Sequence, residues 1–268
     1  INRIFLEHTR ELGDTLAAIA EDKSHVITGE QKCVYFAEQE PEILEVLVRR
    51  AEAMQVPYKI YGRDFQAENI RYTCSGMLFD VVIGDNIYPN LQISLLGEHQ
   101  AKNCALALAL CVDVLSDLCG KSVEFSLPAV RENLSLLRWP GRMEVLRSDP
   151  FVLLDACINP ASYENVKEVL RHLGIPDCTV IVGIPEDKDY AGVIRSMKDM
   201  AGRILLTRSG NPHYHFSPNQ QEALAREGIC TEWTNSVKQA LDLAASFSDP
   251  VVILGTTSVI SEVEQLFS

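Results

Sequence analysis

The stretch Phe151-Val-Leu-Leu-Asp155-Ala-Cys-Ile-Asn-Pro160 decides the fold. An unbroken apolar run ends on a carboxylate, and a polar turn follows. A short continuous run of this kind reads as a strand buried on both faces. From about Ser162 the period changes: Val166, Val169, Leu170 and Leu173 share one helical face, and Gly174 with Pro176 beyond it stops the helix. The theme recurs in Thr179-Val-Ile-Val-Gly183, Arg203-Ile-Leu-Leu-Thr207 and Val251-Val-Ile-Leu-Gly255. Helical patterns cover roughly 190–201, 218–227 and 235–246, and a last helix runs to the C-terminus. Strand–helix alternation with short links predicts an α/β fold, a parallel sheet with helices on both sides. Ligands in such sheets sit outside the carboxyl ends of the strands, which here are Asp155, Gly183, Thr207 and Gly255.

The first half is less regular. Residues 9–23 read as a helix with Leu12, Leu16 and Ile19 on one face. Val34–Ala37 and Tyr58–Tyr61 read as strands around a helix over 41–54. Met77–Ile83, a Gly84-Asp-Asn86 turn and Ile87–Leu96 predict a hairpin, followed by a strongly apolar helix over about 100–117. Trp139-Pro140-Gly141, within 135–145, is the natural joint between the halves.

Composition bounds the function. The chain has 268 residues, room for one large or two ordinary domains, and is 47% hydrophobic and 23% charged, as a folded protein is. Its 37 acidic against 24 basic side chains, a net charge of −13, argue against a nucleic-acid surface, which needs a surplus of Lys and Arg. No apolar run is long enough to span a bilayer and no secretory signal opens the chain, so no membrane partner and a cytoplasmic location are the expectations. The start at Ile1-Asn2-Arg3, without Met, reads as a processed chain or a piece of a longer one. The eight cysteines include no C-x-x-C and sit mostly in apolar segments, so buried free thiols are expected.

Single chemical motifs are weak. Gly120-Lys121-Ser122 lacks the earlier glycine of a phosphate loop, because position 115 is Leu inside the apolar helix, and it reads as a helix stop. His213-Tyr-His215 has no third ligand nearby in sequence for a metal site. The Gly fingerprint of a nicotinamide-binding domain is missing too.

An ordered set says more. It runs Leu6-Glu-His8-Thr9, Leu12-Gly-Asp-Thr15, Ile19-Ala-Glu-Asp-Lys23, Leu96-Gly-Glu-His-Gln-Ala-Lys-Asn103 and Arg138-Trp-Pro-Gly-Arg142-Met-Glu-Val145. It continues with Val152-Leu-Leu-Asp155-Ala-Cys-Ile158-Asn159-Pro160, Gly183 through Asp187-Lys188-Asp189, and Gly255-Thr-Thr-Ser258. In order and spacing this resembles the folylpolyglutamate synthase/dihydrofolate synthase branch of the Mur ligase family, over essentially the whole chain.

The resemblance implies an ATP-dependent ligase, which activates a carboxylate as an acyl phosphate for attack by the amine of glutamate. The cofactors it implies are ATP and Mg²⁺, and the substrates folate or dihydropteroate together with L-glutamate. It makes His8 a Mg²⁺ ligand and Lys23 a lysine whose carbamate helps hold the metal. The bland alternative for Lys23 is a cation completing a helix end. Asn103, Arg142 and Asp155 match ATP-contacting positions, with Asp155 also catalytic. A guanidinium suits phosphate chemically, against the alternative of a surface arginine beside the joint. Asp155 ends a strand at the expected crevice, where burial without a partner would be costly, so a ligand or N-cap role is expected. Asn159 and Pro160 open a helix whose N-terminus suits an anion such as the glutamate carboxylate.

The sequence also departs from the family pattern. Ile158 stands where the family has His, Glu7 where it usually has Asp, and His213 where an Arg usually follows the Pro. Lys23 is followed by Ser-His-Val instead of the family's Ala-Gly-Ile. The family's Gly-rich ATP loop and pterin pocket precede the point where this chain starts. The expected organisation is the C-terminal portion of a Mur-type ATP-binding domain over 1–137, then a Rossmann-like glutamate-ligase domain over 138–268. A monomer is expected. The rival reading, prompted by Ile158 and the missing loop, is a diverged, non-catalytic binding module.

Overall fold

The computed structural model describes residues 1–268 except 7–11, 74–75, 122 and 124. Helix α1 (Leu16–Ser24) forms the second part of the predicted 9–23, of which 9–11 lie outside the described residues. Thr15 is extended and accepts the Ala18 N–H at 3.1 Å, so residues 13–15 interrupt the helical pattern with an N-cap. Strand β1 (Val34–Phe36), helix α2 (Pro41–Ala53) and strand β2 (Tyr58–Ile60) follow as expected, with the two strands paired in parallel. Ile43, Leu47 and Ala51 recur every four residues along α2 and meet Ile19, Ala20 and Phe36 in one core.

Strands β3 (Phe65–Thr73), β4 (Gly76–Ile83) and β5 (Asn86–Ile93) form an antiparallel sheet in that order. The hairpin is the predicted one, although its second strand stops at Ile93 instead of Leu96. β3 is an addition. Along β4 the buried residues alternate, Met77, Phe79, Val81 and Ile83, as a half-buried strand requires. Both neighbours carry a bulge opposite its middle: two residues of β3 and two of β5 face one of β4, with Asn69 at φ +51° and Asn90 at φ +53°. Asp80 ties both bulges, accepting the Asn90 N–H and the Asn69 side-chain amide at 2.7 Å each.

Helix α3 (Glu98–Cys119) packs on β3 and β4, and helix α4 (Leu127–Ser135) on β5. After α3, Gly120 turns left-handed at φ +64°; its N–H reaches Asp117 O and the Lys121 N–H reaches Ser116 O, both at 3.2 Å. This pair of bonds is a Schellman ending, so Gly120-Lys121 is a helix stop, and Ser122 lies outside the described residues.

The remaining elements are β6 (Glu144–Ser148), β7 (Phe151–Asp155), α5 (Pro160–His172), β8 (Cys178–Gly183), α6 (Tyr190–Ser196) and β9 (Ala201–Leu206). Then come α7 (Asn219–Arg226), β10 (Glu232–Trp233), α8 (Val237–Ala245), β11 (Val251–Gly255) and α9 (Thr257–Phe267). They build one six-stranded sheet in the order β10-β9-β8-β11-β7-β6. The predicted strands are parallel, and two short ones are added. β6 runs antiparallel at one edge, so the sheet is mixed, and β10 closes the other edge. Helix α6 stops at Ser196 instead of about 201, because Met197 and Met200 are buried in a turn that prolongs the apolar pattern past the helix.

Registers sort the core. Leu154, Ile253, Ile181 and Leu205 stand in one row across the strands and pack with Val237, Ala240, Val259 and Ile260 of α8 and α9. Leu153, Val252, Val180 and Ile204 alternate to the opposite face. Right-handed crossovers from β7 to β8, β9 and β10 put α5, α6 and α7 on that face. The return from β10 to β11 puts α8 on the other.

The chain divides into two compact units: Ile1–Ile93 with Glu98–Leu136, and Ser94–Gly97 with Leu137–Ser268. Seven cysteines are free among the described residues. Only Cys104, Cys157 and Cys178 are buried, whereas Cys111, Cys119 and Cys230 are exposed and Cys33 intermediate. The apolar run Cys104–Cys111 is a helix with one buried face, so burial expected from composition fails for Cys111. Among the described residues no helix is long and apolar enough to cross a membrane.

Candidate functional site

The second unit has a crevice built by topology. β11 lies between β7 and β8. The chain leaves β7 and β8 toward one face and leaves β11 toward the other, so the loops diverge at the carboxyl ends. Two glycines bring the start of α9 against those ends. A Cβ on Gly183 would lie 2.6 Å from Val259, and one on Gly255 2.7 Å from the Gly183 carbonyl oxygen.

Asp155 closes β7 with only 7% of its surface exposed. One carboxylate oxygen accepts the Met143 N–H at 2.9 Å. Burial pushes its pKa up to about 6, against the opposing pull of the Met143 N–H, the Arg142 charge and the Cys157 N–H. The expected buried aspartate therefore has a backbone partner, on the loop before β6.

That loop is heavily constrained. Gly141 sits at φ +65°, where an added Cβ would lie 2.4 Å from Ile260 Cγ2, and Met143 holds φ +47°, unusual for a residue with a side chain. The Gly141 N–H donates to Glu144 Oε2 at 2.8 Å, Gly141 O accepts the Ala156 N–H at 2.9 Å, and the Arg142 N–H reaches Trp139 O at 3.3 Å. The result is an exposed Arg142 on a fixed backbone beside a buried carboxylate.

Asn159 lies in the same β7–α5 connection and is the N-cap of α5, accepting the Ser162 N–H at 2.8 Å. The Tyr163 N–H is taken by the Asn159 carbonyl and Pro160 has no N–H, so the helix start offers an anion chiefly the Ala161 N–H. Half-buried Ile158 precedes it, adding apolar surface where a donor would serve a ligand.

At the ends of β9 and β11 the structure joins the Gly255-Thr-Thr-Ser258 stretch to Ser209 and Glu262, which no sequence motif marks. Thr256 Oγ1 and Ser258 Oγ are 2.9 Å apart, and Ser258 Oγ donates to Ser209 Oγ at 2.9 Å. Thr207 Oγ1 is buried without a hydrogen-bond partner among the described residues. Beside them a cleft of about 460 Å³ is lined by Arg208, Ser209, Asn211, Tyr214 and Glu262, among others. Glu262 Oε1 accepts the Gly210 N–H at 2.6 Å. The signal for Glu262 is its place one helical turn after Ser258; Ser209 is 49 residues from Ser258 and only folding reveals that pair.

The other expected residues lie in the first unit. Lys23 is half-buried in the last turn of α1, and Asn103 is half-buried near the start of α3, its amide 3.4 Å from Gln100 Oε1. His8 lies outside the described residues. Among the described residues no group of three or more His, Cys, Asp or Glu is arranged to hold a metal ion. His213 and His215 stand in the loop after β9, the His213 N–H donating to Asn211 Oδ1 at 3.0 Å.

No family model matches the chain. Its homologues are folylpolyglutamate and dihydrofolate synthases. It is 25% identical over 271 residues to the folylpolyglutamate synthase of Lacticaseibacillus casei, covering 99% of this chain and 60% of that protein. It is 28% identical over 222 residues to the dihydrofolate synthase/folylpolyglutamate synthase of Mycobacterium tuberculosis, covering 79% and 44%. Crystal structures of M. tuberculosis folylpolyglutamate synthase complexed with ADP and AMPPCP share the fold, with a TM-score of 0.86 at 24% identity over 100% of this chain and 63% of that one. The chain thus spans less than two thirds of the length of the relatives it matches.

Proposed function

We propose that the chain is the C-terminal portion of an ATP-dependent ligase that joins glutamate to folate or dihydropteroate. Residues 1–137 would complete an ATP-binding domain and 138–268 would be the glutamate-ligase domain. The observation that carries this reading is Arg142, an exposed guanidinium on a constrained loop, next to the buried carboxylate of Asp155 at the carboxyl ends of the strands. ATP-analogue complexes of a neighbour with this fold support nucleotide binding.

In the proposed reaction a carboxylate oxygen of the folate attacks the γ-phosphorus of ATP and ADP leaves. The glutamate amine then attacks the acyl carbon, the C–O bond to phosphate breaks, and a proton is released from nitrogen. Arg142 would meet phosphate oxygens, because guanidinium binds oxyanions bidentately. Asp155 would fix the Met143 backbone beside Arg142 and contact the nucleotide. Asn103 would be a nucleotide contact of the first unit. The N-terminus of α5 near Asn159 would meet the glutamate carboxylate. Mg²⁺ would neutralise phosphate charge, held by His8 and by Lys23 as its carbamate, since a free ammonium repels a cation. The free thiols among the described residues fit a cytoplasmic protein, and the resemblance implies a monomer.

The full-length protein given folate labelled with oxygen-18 in its glutamyl carboxylates tests the intermediate. The label is expected in the released phosphate; unlabelled phosphate from a turning-over enzyme rejects the acyl phosphate. Ile158 favours the rival, a binding module without turnover, which would take up nucleotide or folate and release no ADP.

A further inference from the structure

Two carboxyl groups beside the Gly141 loop have no role in the reaction as proposed. Glu144 on β6 accepts the Gly141 N–H at 2.8 Å. On α9 the Glu264 carboxyl faces that of Glu144 closely enough for a side-chain hydrogen bond. One of the Glu264 oxygens is buried and meets no donor among the described residues. Two carboxylates cannot hydrogen-bond to each other without a proton, so the arrangement requires one shared between them.

From this geometry we infer that Glu144, buttressed by Glu264, is a positioning residue for Arg142. Glu144 holds Gly141, Asp155 holds Met143, and Arg142 lies between these two anchored residues. Helix α9 enters the same arrangement through Ile260, against which Gly141 packs, and through Glu264 one turn later. The inference rests on the proposed phosphate role of Arg142.

The shared proton makes the clamp sensitive to pH. Burial, then the hydrogen bond and the charge of Glu144, push the Glu264 pKa up. The charged groups nearby are otherwise engaged. Arg147 of β6 lies over the Phe267 ring at 5.9 Å, Glu262 of α9 holds the Gly210 N–H, and Asp155 of β7 holds the Met143 N–H. Below the Glu264 pKa the pair attracts; above it two carboxylates repel, and the Gly141 anchor loosens.

The test follows the Gly141 and Met143 amides by NMR from about pH 5 to about pH 9, together with KM for ATP in the full-length protein. The expected Gly141 titration has a midpoint above the ordinary glutamate range, with KM for ATP rising through the same interval. Glu264→Gln, whose amide donates to Glu144 at every pH, is expected to abolish both changes. Glu144→Ala should raise KM for ATP roughly five- to tenfold, with kcat changed less. Glu144→Gln can still accept from Gly141 and should restore most of that loss without the pH dependence. A Gly141 titration at the ordinary glutamate midpoint, or one that survives Glu264→Gln, overturns the inference. So does an unchanged KM in Glu144→Ala when Arg142→Ala raises it. If Arg142→Ala has no effect while the Gly141 titration is as expected, the phosphate assignment of Arg142 falls and the carboxyl pair stands.

Discussion

At the scale of single residues, Asp155 shows how a candidate site can oppose stability. Its carboxyl has a pKa of about 6 in the fold against 3.8 unperturbed, so keeping it ionised costs ~3 kcal/mol. The raised value means that the folded chain holds the proton more tightly than the unfolded one. This contribution is therefore fully present below about pH 4 and is lost as the pH rises through about 6. Asp155→Asn keeps an acceptor for the Met143 N–H and removes the charge. It is expected to be more stable than the parent by roughly 2–3 kcal/mol at pH 8 and equal to it near pH 4, by urea denaturation at both pH values. A variant less stable than the parent at pH 8 would show that the charge is compensated by a partner in the fold. Asp155 is legible in the sequence because an apolar run ending in a carboxylate marks a strand end. Its link to Met143 is not, because it depends on the left-handed Met143 backbone.

At the scale of elements, legibility follows periodicity. β7, β8, β9 and β11 are continuous apolar runs and stand where those runs predict them. β3 is hidden because Asn69 and Ile70 bulge out of register, which breaks the two-residue alternation in a strand that is otherwise polar. β6 is hidden because an edge strand with Glu144, Arg147 and Ser148 buries too little to show a pattern. Asp80 is what fixes the β3–β5 sheet locally, because its carboxylate joins the two bulges. The Asn90 N–H and then the Asn69 amide hold its pKa below the ordinary value. Asp80→Ala should destabilise the chain by about 1–3 kcal/mol at neutral pH. Because the folded pKa is depressed, the parent's advantage is present above the ordinary aspartate value and is lost as the pH falls through the depressed one. Thermal unfolding at pH 7 and pH 3 checks this; an equal deficit at both would rule out the charge as the cause.

At the scale of the molecule, a net charge of −13 argues against nucleic acid as a partner and says nothing about an anionic ligand, which a single placed Arg142 can meet. The ordered motifs supply what charge cannot, and the homologues with their shared fold stand on the same reading. The partnership of Ser258, itself in the ordered set, with Ser209 escapes it because their meeting is tertiary. The central claim is glutamate ligation dependent on the Arg142 loop. It is tested most directly by incorporation of labelled glutamate into a folate by the full-length protein, with and without ATP and Mg²⁺, beside Arg142→Ala. Incorporation is expected only when both are present, with at least a roughly tenfold loss of kcat/KM for ATP in the variant. No incorporation by a correctly folded parent, or undiminished incorporation by Arg142→Ala, would contradict it.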